Sequence, residues 1–255
     1  MAKLSTDPYK GVRDFYPEDM AIQNYIFDTW KKVVEKFGYE EYSASILEPT
    51  ELYTEKSGSE IVGEQTFTFK DRGERSVTLR PEMTPTLARM VAAKRRELKF
   101  PLRWYSIPNI FRYERPQRGR RREHWQLNAD LLGVAGLEGD REIISLAYAI
   151  MKEFGAKDGD FEIRVNNCNI KDLKGVAPNL VYDESLLRGQ TYYTGIVFEI
   201  FDTNKENLRA IAGGGRYDNL LEMFEVAPLP AIGFACGDIT TKDFLETHQL
   251  GPYNK

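Results

Sequence analysis

His124, Gln126, Asn128 and Asp130 occupy alternate positions, interleaved with the apolar Trp125, Leu127, Ala129 and Leu131. A period of two is that of a β-strand, so the polar side chains share one face and the apolar ones the other. A similar alternation runs from Arg103 to Arg115, where Tyr105, Ile107, Phe111 and Tyr113 are apolar and Arg112 and Glu114 are charged. Between the two runs lies Pro116 to Glu123, with Arg118, Arg120, Arg121 and Arg122. The pattern predicts a long hairpin with a core face, a polar face and a basic tip. A guanidinium and an acid on one strand, with an amide and an acid on the next, have the chemistry to hold both ends of a small substrate. Gln126 and Asp130 would stand about 13 Å apart along their strand, which suits such a molecule and not a single metal ion. A strand can also turn a polar face of this kind to water, and residue order leaves both readings open.

The elements that must position this hairpin follow from periodicity and punctuation. Ile22, Ile26, Trp30, Val33, Val34 and Phe37 recur at helical spacing, predicting a core-covering helix after Pro17 that Gly38 stops. The segment Tyr39 to Tyr53 ends a short strand in Pro49, which fits a sheet edge or an interface. Ser57 to Gly63 reads as a flexible stretch, and Gln65 to Lys70 with Ser76 to Arg80 as a hairpin turning at Asp71-Arg72-Gly73-Glu74. Thr84 is placed to cap a helix beginning at Pro85, with Leu87, Met90, Val91 and Leu98 as its buried stripe. Glu82, just ahead of that helix, suits either a surface acid complementing the helix dipole or a receptor for an ammonium group. Asp140 to Phe154 predicts another amphipathic helix, through Ile143, Ile144, Ala147 and Met151, and Phe161 to Val165 a strand. A further strand is expected within Leu187 to Phe201, clearest from Tyr192 to Ile200. Gly213-Gly214-Gly215 reads either as a loop or as backbone that closes against a substrate. Pro230 to Asp238 and Thr240 to His248 supply a last strand and helix.

Composition sets bounds. A chain of 255 residues, 42% hydrophobic, can bury a sizeable core. Its net charge of -4 gives no global basic footprint, so contact with a nucleic acid must be local, at the arginine-rich tip. The two cysteines, Cys168 and Cys236, lack metal-ligand spacing and suit a reducing compartment. Without a long apolar run or a leader pattern, the expectation is a cytoplasmic protein with no membrane partner.

Five stretches in order carry a resemblance. Leu79-Arg80-Pro81-Glu82-Met83-Thr84, Phe111-Arg112-Tyr113-Glu114-Arg115-Pro116-Gln117 and His124-Trp125-Gln126-Leu127 resemble the class II aminoacyl-tRNA synthetases, specifically the histidyl-tRNA synthetase family. Leu187-Arg188-Gly189-Gln190-Thr191-Tyr192-Tyr193-Thr194-Gly195 and Ala212-Gly213-Gly214-Gly215-Arg216-Tyr217-Asp218 resemble its two histidine-specific signatures. The resemblance implies an α+β fold, an antiparallel β-sheet flanked by helices, over residues 1 to 255. It implies activation of histidine by ATP with Mg²⁺, transfer to the acceptor end of a tRNA, and a homodimer paired through Ser45 to Pro49. Carried over residue by residue, Glu82, Thr84 and Gln126 would hold the α-amino group, with Met83 a further histidine contact. Asp130, Tyr192 and Tyr193 would surround the side chain, Arg112 and Arg188 would act on the carboxylate and α-phosphate, and Glu114, Arg120, Arg121 and Lys242 would engage ATP. No protein ligands to a metal are assigned.

The chain also departs from the family. Only Asn166 to Ser185 lie where bacterial members place an insertion domain, and no C-terminal anticodon-reading domain is expected by Lys255. Asp130 stands where the family usually has glutamate, and Gln190-Thr191 where it has Leu-Asp. The last strand-to-helix element reads Asp238-Ile239-Thr240-Thr241-Lys242, where the family presents an arginine to the adenine ring. A second function class is therefore carried alongside: a catalytically silent regulatory subunit of ATP phosphoribosyltransferase. A third is a segment of a longer enzyme.

Overall fold

A computed structural model describes residues 4–54, 65–187 and 191–254. The expected flexible stretch at Ser57 to Gly63, and Arg188, lie outside them. Helix α1, Pro17–Lys36, opens with the Asp19 carboxylate accepting the main-chain N–H of Tyr16 at 3.2 Å. It ends at Phe37 and Gly38, as expected; Gly38 adopts φ +83, the left-handed conformation that glycine enters without steric cost. Strand β1 (Glu40–Glu41) follows, then β2 (Leu47–Pro49), a one-turn helix α2 (Glu51–Thr54), β3 (Phe67–Lys70) and β4 (Ser76–Leu79). Strands β2, β4 and β3 form a small antiparallel sheet, with Pro49 ending an edge strand.

Helix α3 (Thr84–Ala93) begins one residue earlier than the cap reading predicts, because Met83 flanks it and Thr84 is already helical. Its stripe is Leu87, Ala88 and Val91; Leu98 falls beyond its end. The predicted strand from Arg103 to Arg115 is broken. It divides into β5 (Leu102–Ser106) and β6 (Asn109–Phe111) at Ile107-Pro108, and Arg112 to Arg115 are not strand. Proline cannot donate to a ladder, and the interruption shifts the phase, so that Ile110 is fully buried instead of its odd-numbered neighbours. The second half of the hairpin, β7 (Glu123–Leu132), is one long strand.

Then come α4 (Leu137–Glu153), β8 (Phe161–Asn166), β9 (Leu180–Tyr182), β10 (Val197–Asp202), β11 (Ala212–Arg216), β12 (Ala231–Gly237) and α5 (Asp238–Thr247). The main sheet runs β1-β5-β7-β12-β11-β10-β8-β9, antiparallel from β5 to β8, with a parallel pair at each edge; β6 also pairs with β7. Two expectations fail here. Tyr192 to Ile196 is not strand, and β10 begins only at Val197; Gly213 to Gly215 are not a loop but the middle of β11. The glycines answer to close packing: a Cβ on Gly214 would meet the Gly233 carbonyl oxygen at 2.1 Å, and one on Gly215 the Ile196 carbonyl oxygen at 2.5 Å and the Tyr193 ring at 2.9 Å.

Helices α1, α4 and α5 cover one face of the sheet, where Leu127, Ala129, Leu131, Phe198, Ile200, Ile232 and Cys236 join Trp30, Ile143, Ile144 and Phe244 in the main core. A smaller cluster around Leu87, Val91, Tyr192, Tyr217 and Leu221 supports the opposite face. The fold is thus α+β, an antiparallel sheet flanked by helices. Among the described residues no helix is long and apolar enough to cross a membrane.

Candidate functional site

Alternation decides where the site lies. On β7 the residues between the core positions, Gln126, Asn128 and Asp130, are 7%, 3% and 2% exposed, so this polar face is not turned to water. It forms the floor of a cavity of about 810 Å³. On β12 and β11 the positions facing the same way are small, Gly213, Gly233, Ala235 and Gly237, and the hollow exists because these strands carry no bulk there.

Asp130 lies at one end. Its register partner is Gly233, where a Cβ would come within 2.2 Å of Asp130 Oδ1. The Tyr217 hydroxyl donates to Oδ1, whereas Oδ2 is buried without a partner among the described residues. Burial pushes the Asp130 carboxyl up to about 7, opposed by the Tyr217 hydrogen bond. The Tyr217 phenol is itself raised well above its ordinary value by burial and by Asp130. Next along, Gln126 Nε2 donates to Asn128 Oδ1 at 2.8 Å, and His124 Nε2 lies 3.3 Å from Gln126 Oε1. Burial, then the charge of Arg112, hold the His124 imidazole down to about 3, so the ring is neutral at physiological pH and, with Nε2 protonated, donates to the amide.

The turn before α3 closes one wall. Glu82, 3% exposed, accepts the Tyr192 hydroxyl at 2.9 Å, and Thr84 lies beside it in the cavity lining. The turn is pinned from behind by Arg80, which donates to the carbonyls of Asn109 at 3.0 Å and Ala44 at 2.9 Å. Arg112 donates from Nε to the Pro81 carbonyl at 2.8 Å, and its terminal nitrogens make no hydrogen bond within the described residues.

The predicted residues are thereby sorted. Glu82, Thr84, Arg112, Glu114, Arg120, Arg121, Gln126, Asp130, Tyr192 and Tyr193 come together around this one cavity. Met83 does not; it is 1% exposed and packs beneath the turn, with Sδ 4.0 Å from Arg80. Lys242 does not line the cavity either, since the first turn of α5 presents Ile239 and Thr240 to it. The adjacent Asp238 is committed elsewhere, accepting from Arg13 at 2.6 Å and from the Trp125 N–H at 3.1 Å. The tip arginines divide. Arg120 is ion-paired with Glu114 and Arg121 faces the cavity, whereas Arg122 is buried under Tyr113, its guanidinium carbon 3.9 Å from the ring centroid, and bonds the Tyr9 hydroxyl at 3.0 Å. Among the lining residues to which sequence reasoning gave no role are Tyr217, Glu199 and Arg209. Tyr217 was signalled by its place after the glycine run. Arg209 sits in a polar loop that carries no pattern.

Comparison with known proteins gives the family and matches the fold. The description of the histidyl-tRNA synthetase family matches residues 11–173 and 169–238. The histidine–tRNA ligase of Leptospira biflexa is 40% identical over 333 residues, taking in 98% of this chain and 76% of the relative. That of Thermoplasma volcanium is 37% identical over 317 residues, 92% of this chain and 74% of the relative. Both aligned stretches exceed the chain's 255 residues, so these relatives hold residues there that this chain lacks. The family match breaks at 169–173, between β8 and β9. Among solved structures, the histidyl-tRNA synthetase of S. aureus superposes with a TM-score of 0.81 at 26% identity, covering 98% of this chain and 72% of that one. A structure from Bacillus halodurans, described as an ATP phosphoribosyltransferase regulatory subunit/histidyl-tRNA synthetase, shares the fold with a TM-score of 0.81 at 22% identity, covering 96% of this chain and 84% of that one. With the family match spanning most of the sequence, the chain belongs to the histidyl-tRNA synthetase family.

Proposed function

We propose that this chain activates histidine with ATP and passes the histidyl group to the acceptor end of a tRNA. One observation carries the reading: a single cavity gathers Glu82, Gln126 and Asp130 on its floor and wall and the guanidinium groups of Arg112, Arg120, Arg121 and Arg209 beyond them, matching an amino acid joined to a nucleotide. Glu82, with Thr84 and Gln126, is placed for the α-ammonium. Asp130 and the Tyr217 hydroxyl face the imidazole, whose two nitrogens need one acceptor each when protonated and a donor when not. A site that pairs both rejects a ring or chain that leaves its polar groups unmatched.

The histidine carboxylate would attack the α-phosphorus of ATP, forming the mixed anhydride as pyrophosphate departs. The carboxylate is already ionised, so no general base is needed, and the catalytic requirement is alignment and charge neutralisation. The terminal nitrogens of Arg112, which no described residue hydrogen-bonds, suit the α-phosphoryl oxygens, with Arg188, outside the described residues, completing the pair in this reading. Mg²⁺ enters with the triphosphate and offsets charge on the leaving pyrophosphate. In the second step a ribose hydroxyl of the tRNA attacks the carbonyl, releasing AMP.

Histidine-dependent exchange of pyrophosphate into ATP tests this. Exchange should require histidine, and Arg112→Ala should lower it about 100-fold or more with the fold intact. A second reading is favoured by the first turn of α5, which offers the cavity no cation: a subunit that binds histidine without forming an adenylate and regulates ATP phosphoribosyltransferase. Histidine binding with no exchange would select it.

The active form would be a homodimer of cytoplasmic location. In the small sheet the register aligns Leu47, Phe67 and Leu79 in one row and Pro49, Phe69 and Val77 in the next, so all six share a face. Leu47 is 43% and Phe69 48% exposed, an apolar face that a second copy would cover.

A further inference from the structure

The outer end of the cavity holds a cation that no part of the described chain matches. Arg118 donates to Asn207 Oδ1 at 2.9 Å and lies 4.0 Å from Glu206, and Arg120 is paired with Glu114. Arg121 Nη1 donates to the main-chain carbonyls of Gln117 at 2.9 Å and Arg120 at 3.3 Å, and the Asp243 carboxyl, also in the cavity lining, lies near enough to feel the charges of Arg118 and Arg121. Arg209, from the loop joining β10 to β11, lines the cavity half-buried, yet has no hydrogen bond or ion pair with any described residue.

Its stem, by contrast, is seated. A Cβ built on Gly119 would lie 3.1 Å from Arg209 Cγ, 3.3 Å from its Cβ and 3.5 Å from Thr240 Cγ2. The hairpin tip, the β10–β11 loop and the first turn of α5 therefore meet at Gly119, whose φ of +71 and missing side chain leave room for the arginine. The loop is itself tied down: Asn207 Nδ2 donates to Asp202 Oδ2 at 2.7 Å and to Thr247 Oγ1 at 3.0 Å, and His248 bonds the other oxygen of Asp202 at 2.8 Å. A long cation with an ordered stem and an unmatched head loses little further freedom on meeting an anion, and gains a charge-assisted hydrogen bond.

We propose that Arg209 is a nucleotide-binding residue whose guanidinium, beside that of Arg121, takes the terminal phosphates of the nucleoside triphosphate. It supplies from the β10–β11 loop a cation that α5 does not present. The assignment rests on the nucleotide reading of the cavity given above.

Calorimetric titration of the whole chain with ATP, AMP and histidine separates the two. Arg209→Ala should weaken ATP about ten-fold or more while leaving AMP and histidine within about two-fold, because only the terminal phosphates lose their partner. Arg209→Lys, which keeps the charge, should recover part of the loss. Unchanged ATP affinity in Arg209→Ala overturns the assignment of Arg209 alone, as does an equal loss for ATP and AMP, or a loss that lysine does not reduce. An unaltered chain that binds histidine but no ATP overturns the nucleotide reading itself.

Discussion

Asp130 combines two demands on one carboxyl. Relative to the glutamate common in its family it is a methylene short, and the Tyr217 hydroxyl and the bare backbone of Gly233 are what surround it. Its folded-state pKa of about 7 lies above the ordinary 3.8, so the folded protein holds the proton more tightly than the unfolded chain. The associated stability is complete below about 4, falls as pH rises, and is gone above about 7. Asp130→Asn removes this ionisation. The melting temperature of the variant should therefore gain on that of the parent between pH 4.5 and pH 8, and a constant gap would show that Asp130 ionises normally. In the same variant histidine should bind more weakly, since the amide offers the imidazole N–H a neutral acceptor in place of a charged one.

The strands owe their function to what they omit. Antiparallel pairing puts Gly233 directly across from Asp130 on β7, and the absence of a side chain there is the space the carboxyl occupies. Gly233→Ala places a methyl 2.2 Å from Asp130 Oδ1 and 2.8 Å from the Ala129 carbonyl oxygen. It should cost about 1–3 kcal/mol of stability and lower histidine affinity together, read by thermal melts and titration. Gly159→Ala, where an added Cβ meets nothing within 4 Å, should do neither. Helix α5 is set by a different device. The Arg13–Asp238 bond joins the N-terminal segment to its first turn, while Trp125, whose N–H also bonds Asp238, packs edge-on against Phe15 with ring centroids 5.3 Å apart. An opening segment that sequence reading left without a role thus shapes the rim of the cavity.

At the scale of the molecule, helices cover one face of the main sheet while the cavity opens on the other. The three-stranded sheet presents its polar face inward, through the Thr50, Ser76, Thr78 and Thr68 hydroxyls and the Glu48–Arg89 pair at 2.7 Å, leaving its apolar face outward. Sedimentation velocity should report twice the chain mass, and Leu47→Glu should shift it to the monomer by setting a charge on the covered face. A parent protein sedimenting as a monomer would remove the homodimer from the proposal.

Much of this was determined by sequence alone. Alternation on β7 assigned Gln126, Asn128 and Asp130 to one face, because a side chain's direction in a strand depends on its own position in the pleat. The signature stretches named the family, and ten of the residues expected from the resemblance line one cavity. What a guanidinium does depends instead on which distant segment folds over it. Only the tertiary structure could separate the neighbours Arg121 and Arg122, one facing the cavity and the other stacked beneath Tyr113, bring Arg209 in from an unpatterned loop, and set the three glycines, open to two readings in the sequence, in a central strand.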